Sequence, residues 1–109
     1  MADPEIVAEI RATIEVANYE LDLAKCSRHM GDEGFTIFEA EHAVLSGDMI
    51  AAERGRWLFC GEVSTLRQDR RFHGRWLHVL AEYDIETGVV LITMYRPHLR
   101  EWRTERVRR

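Results

Sequence analysis

The chain has a single lysine, two cysteines and no long hydrophobic run, and each shortage excludes something. Its longest largely apolar run is Val89 to Met94. That is far short of the roughly 20 residues needed to span a bilayer. The N-terminus, MADPEIVAEI, places acids where a signal peptide has a basic and then an apolar stretch. A cytoplasmic protein without membrane attachment is expected. Cys26 and Cys60 form no CxxC pair, and no Cys/His block has zinc-finger spacing. Two reduced thiols packed as small hydrophobes are expected of such a chain. No metal or other cofactor is expected.

The near absence of lysine makes the basic residues almost uniform: 14 of the 15 are arginine, with Lys25 the exception. The planar guanidinium suits phosphate. The net charge of −4 conceals a split. Residues 1–53 carry 12 acids against 3 bases, and residues 54–109 carry 7 acids against 12 bases. Such a split fits either a basic site for an anionic partner beside an acidic face or an ordinary solvated surface.

At 109 residues the chain has the size of one domain, 1–109, with one core. Ile6, Ile10, Ile14, Ala17 and Leu21 recur at helical spacing, with Asp3 as cap and Pro4 at the first position. Near Asn18 the pattern turns to alternation, which suggests extended chain. Ala24–Glu33 suggests a short helix stopped at Gly34. Thr36 and Glu39 form a capping box for a further helix, with Phe35 and Ala40 as a staple. Ile37, Ala40, Val44 and Phe38 supply its buried side.

From Met49 onward the period is two. Strands are expected at Met49–Arg54, Trp57–Cys60, Arg75–Tyr83 and Val89–Arg96, with an arginine-rich irregular segment from Val63 to His73. Leu77, Val79 and Ala81 fall on one face of the third strand. Trp76, His78, Leu80 and Glu82 fall on the other. The expected fold is α+β: two layers, N-terminal helices packed on a C-terminal antiparallel sheet. A partner or the C-terminal tail must then cover the second sheet face.

The stretch from Leu23 to Trp102 resembles a bacterial domain family of unknown function grouped with RelE-like and BrnT-type toxins. That family carries RM-x-x-RG-I-[ST] before a short helix, then g-x-x-lhvV, then iITvY-x-P-x-x-x-x-W. The corresponding segments here are His29-Met30-Gly31-Asp32-Glu33-Gly34-Phe35-Thr36, then Gly74-Arg75-Trp76-Leu77-His78-Val79-Leu80, then Leu91-Ile92-Thr93-Met94-Tyr95-Arg96-Pro97 with Trp102. The family's two arginines are replaced by His29 and Glu33, and its upstream histidine by Lys25. The resemblance implies a toxin-antitoxin protein: a metal-independent RNA endonuclease or RNA-binding toxin held by a cognate antitoxin, acting on RNA or the ribosome.

Such cleavage needs a base, an acid and positive charge over the phosphorane. The candidates for catalysis are His78, Arg75, Arg96 and Tyr95. Arg67, Arg70, Arg71, His98 and Arg100 are candidates for RNA contact. Glu39 and His42 stand at the E-x-x-H step of carboxylate-bridged metal sites, but without a second pair. The competing readings are a non-catalytic interaction module, a homodimer or a subunit of a larger complex, and an unrelated small-molecule or metal-binding enzyme.

Overall fold

A computed structural model describes residues 4–109, so the expected cap at Asp3 lies outside the described residues. The elements are α1 (Pro4–Glu15), β1 (Glu20–Leu21), α2 (Leu23–Glu33), α3 (Ile37–Ser46), β2 (Asp48–Glu53), β3 (Arg56–Glu62), β4 (Trp76–Tyr83) and β5 (Val90–Tyr95). The α+β class agrees with the expectation. The sheet differs from it in one respect. Its order is β1-β5-β4-β3-β2, and β1 runs parallel to β5, so the sheet is mixed rather than wholly antiparallel. The difference has a physical cause: Glu20–Leu21 comes from the helical half and reaches the sheet edge by non-local pairing. Local alternation shows extended chain there and not its direction.

Local chemistry accounts for the helix ends. The Asp22 side chain caps α2, and Gly34 closes it in the left-handed conformation at φ 72°. Both reciprocal bonds of the Thr36/Glu39 capping box form at α3. α1 stops at Glu15, and Ala17 has a positive φ of 56°, so the apolar stripe ends before Ala17 and Leu21. Arg54 and Gly55 are both left-handed, as a two-residue hairpin turn between β2 and β3 requires.

The helices cover one sheet face. Ile10 and Ile14 of α1, Cys26 of α2, and Ala40, Ala43 and Val44 of α3 are buried against Phe59, Leu77, Val79, Ala81, Ile92 and Met94. Phe38, expected on the buried side of α3, is instead 77% exposed, because Ala40, Ala43 and Val44 set the packed stripe. The Cys26 thiol donates to the Ile92 carbonyl at 3.5 Å, which ties α2 to β5. Neither cysteine is in a disulfide, and both are buried.

The C-terminal tail covers much of the second face. The Glu105 carbonyl accepts from the Cys60 thiol at 3.5 Å and meets His78 Nε2 at 2.6 Å. Trp102, only 5% exposed, stands edge-on to the His78 ring at 4.5 Å between centroids. Among the described residues no helix is long and apolar enough to cross a membrane.

Candidate nucleic-acid interface

Two segments distant in sequence form one end of the molecule. The 63–75 loop leaves the end of β3, and residues 96–100 leave the end of β5. His73 N donates to the Pro97 carbonyl at 2.9 Å, Leu99 N to the Arg71 carbonyl at 2.9 Å, and Phe72 bridges to His98. The first segment contributes Arg67, Arg70, Arg71 and Arg75 against one acid, Asp69; the second contributes Arg96, His98 and Arg100.

These side chains play different parts. Arg67, Arg70 and Arg100 are exposed, and their guanidinium groups make no hydrogen bond or ion pair with any described residue. They are open to a phosphate. Arg71 is engaged: it grips Asp69 at 2.7 Å and donates to the Asp32 carbonyl at 2.8 Å. That hydrogen-bonded pairing lowers the Asp69 carboxyl to about 2. His98 packs edge-on to Phe72, and its Nδ1 accepts from Arg100 N at 3.0 Å. Arg75 donates Nε–H to the Leu66 carbonyl at 2.9 Å and so braces the loop from within.

Arg96 is a buried staple, 1% exposed. Its Nη1 donates to the Glu33 carbonyl at 3.1 Å, and Nη2 donates to the Arg67 and Gly74 carbonyls at 2.8 and 3.0 Å. Its guanidinium lies 4.9 Å from the centre of the Phe72 ring. One cation thus fastens the end of α2 to both arms of the loop.

His78 and Tyr95 lie on the second sheet face, as neighbours in the β4–β5 register. The Tyr95 hydroxyl bonds His78 Nδ1 at 3.2 Å. His78 Nε2 faces the Glu105 carbonyl, which only accepts, so Nε2 carries the proton and the Tyr95 hydroxyl donates to Nδ1. Burial lowers the His78 imidazole to about 4 and raises the Tyr95 phenol to about 12. Both ring nitrogens are therefore occupied while the tail is in place.

This burial has a measurable consequence. The unfolded imidazole takes up a proton near 6.5, the folded one only near 4. Between those values the unfolded state binds more protons, so stability falls as the pH drops through that window. The His78 contribution lost between neutrality and pH 5 amounts to about 2 kcal/mol. Urea unfolding of the wild type and of His78→Gln, each at pH 7 and pH 5, checks it. The wild type is expected to show the larger acid loss. Equal losses in both would mean that His78 is not buried in its neutral form.

A groove of about 660 Å3 lies on the same face, between the tail and the β2–β3 hairpin. Leu58 and Leu80 form part of its lining. The arginines lining it are each opposite an acid: Arg54 with Glu53 at 3.9 Å, Arg56 with Glu82 at 3.6 Å, Arg106 with Asp48 at 2.6 Å and Arg108 with Glu101 at 3.5 Å. Its positive charge is thus largely neutralised, whereas Arg67, Arg70 and Arg100 have no such acids among the described residues. The E-x-x-H pair is also occupied differently from a metal site. Glu39 accepts from Thr36 N and the Thr65 hydroxyl, and His42 is exposed on the helix. Among the described residues no three His, Cys, Asp or Glu side chains converge to hold a metal.

Comparison with family models, with curated proteins and with solved structures finds no match.

Proposed function

We propose that the protein is an RNA-binding protein of toxin type, and that single-stranded RNA lies across the end built from the 63–75 loop and residues 96–100. The observation that carries this reading is the set of guanidinium groups at Arg67, Arg70 and Arg100 that pair with no described residue, on two segments stitched together by main-chain bonds. Phosphate contacts of this kind supply affinity without sequence choice. The resemblance to RelE-like and BrnT-type proteins supports the same partner, and a cytoplasmic location belongs to the proposal. Cleavage by His78 would require the tail to leave, because the Glu105 carbonyl occupies Nε2.

The test is fluorescence anisotropy with a short labelled single-stranded RNA. Reversing Arg67 and Arg70 together to glutamate is expected to weaken binding at least about tenfold at low salt, since each phosphate left unneutralised keeps its counterions. Both positions are exposed, so the fold should persist. Unchanged affinity would reject the surface.

A second reading has its own observation. The groove over Leu58 and Leu80 is apolar enough to take a protein segment, whether an antitoxin or a second copy of the chain. The balanced arginine–acid rim favours a partner of mixed charge there rather than a nucleic acid.

A further inference from the structure

α3 is apolar on two sides. Ala40, Ala43 and Val44 fill the inner side and are buried in the core. Phe38 and Leu45 lie two turns apart on the outer side, 77% and 42% exposed. A surface helix ordinarily turns charged and polar side chains outward, and one that is apolar on both sides is ordinarily covered on both. No lysine or arginine in α3 solvates that outer side. The polar residues there are Glu41 and His42, which stand between Phe38 and Leu45.

Both of these polar side chains have capacity to spare. Tyr19 donates its hydroxyl proton to Glu41 Oε2 at 2.5 Å, which holds the connection after α1 beside the middle of α3. Val16, in that connection, is a further exposed apolar residue at 72%. Glu41 Oε1 and both ring nitrogens of His42 bond with no described residue. A carboxylate oxygen accepts and an imidazole N–H donates, so the two are complementary.

The order of these four residues reads the same against its own reverse. Take two copies of α3, antiparallel and crossing between residues 41 and 42. Phe38 then faces the second copy's Leu45, and Glu41 faces the second copy's His42. The two-fold axis repeats both pairs. Self-complementarity of this kind is what a two-fold interface requires. The antiparallel arrangement also sets the two helix dipoles in opposition, each end beside its opposite.

We infer that the protein forms a homodimer through the outer side of α3, with the two helices antiparallel. The inference stands apart from the RNA-binding reading. It also stands apart from the groove over Leu58 and Leu80, which lies on the other face of the sheet. The apolar centre of the interface is two Phe38 and two Leu45 side chains. Association is therefore weak and concentration-dependent, at the low end of specific interfaces.

The experiment is sedimentation velocity of the full chain from about 1 to about 200 μM, a range that covers weak association. The average mass is expected to rise from that of one chain toward that of two. Phe38→Ser should abolish the rise while its circular dichroism and thermal melt match the wild type, since Phe38 is exposed in the single chain. His42→Glu sets acid against acid and should weaken association at least about tenfold. Adding Glu41→His to that variant restores opposite partners in reversed order and should recover most of the affinity. Leu80→Gln, in the groove of the other face, should leave association unchanged. A wild type that stays a single chain throughout overturns the inference, and the outer side of α3 then belongs to a different protein. Association that survives Phe38→Ser, or that Leu80→Gln abolishes, puts the interface elsewhere and overturns it too. Failure of the Glu41→His, His42→Glu variant to recover would overturn the antiparallel pairing.

Discussion

Gly61→Val is expected to lose more than about 3 kcal/mol of stability, at or beyond the usual range for overpacking. Gly61 lies in β3 where α3 presses on the sheet. A Cβ there would stand 2.6 Å from Ala43 Cα and 2.7 Å from the Ala43 carbonyl oxygen. Both obstacles are main chain, so no side-chain rotation relieves them. α3 must lift from β3, and the buried packing of Ala40, Ala43 and Val44 loosens with it. For a domain of this size the melting temperature should fall by about 10 °C or more. Gly31→Ala supplies the contrast. A Cβ at Gly31 meets nothing within 4 Å, and the residue is inside α2. That change should be neutral or stabilise by up to about 1 kcal/mol through helix propensity. A Gly61→Val protein as stable as the wild type would refute the close α3–β3 contact.

Arg96→Met is expected to cost about 3 kcal/mol or more, because the carbonyls of Glu33, Arg67 and Gly74 lose a charged donor together. The loss should also reach function. Arg96 joins the end of α2 to the 63–75 loop, so its removal frees the loop that carries Arg67 and Arg70. RNA affinity should fall although neither of those arginines has changed. Arg96→Lys should rescue little, because a point charge does not reproduce the fork that reaches three carbonyls. Thermal melts and anisotropy on both variants separate the possibilities. A lysine variant with wild-type stability and affinity would contradict the staple.

Much of the fold was legible because its signals are local. The Thr36/Glu39 capping box, the stop at Gly34 and the two faces of β4 each follow from spacing within a few residues. β1 was legible as extended chain but not as a parallel edge strand, since its partner, β5, lies some 70 residues away. Phe38 illustrates another limit. A large apolar residue beside the packed stripe has the same composition signal whether it points in or out. The tail was one of two covers that the second sheet face could have had, and its Glu105 carbonyl provides the contact that periodicity could not reveal.

The candidate site was legible as chemistry and less so as roles. Arg67, Arg70, Arg71, His98 and Arg100 lie on two segments that main-chain bonds join at one end of the molecule. Of these, Arg71 is paired with Asp69 and His98 is spent on packing and a turn. Arg96 stood out at a strand end, but its burial depends on carbonyls from three separate segments.

The most direct measurement for the central claim is the salt dependence of single-stranded RNA binding by the wild type and by the Arg67→Glu, Arg70→Glu double variant. If the basic end holds phosphates, the plot of log affinity against log salt should be steep for the wild type. Its slope should be shallower by about 1.4 in the double variant, at about 0.7 for each phosphate that is no longer neutralised. Equal slopes in the two proteins, or no RNA binding by the wild type at low salt, would contradict the account.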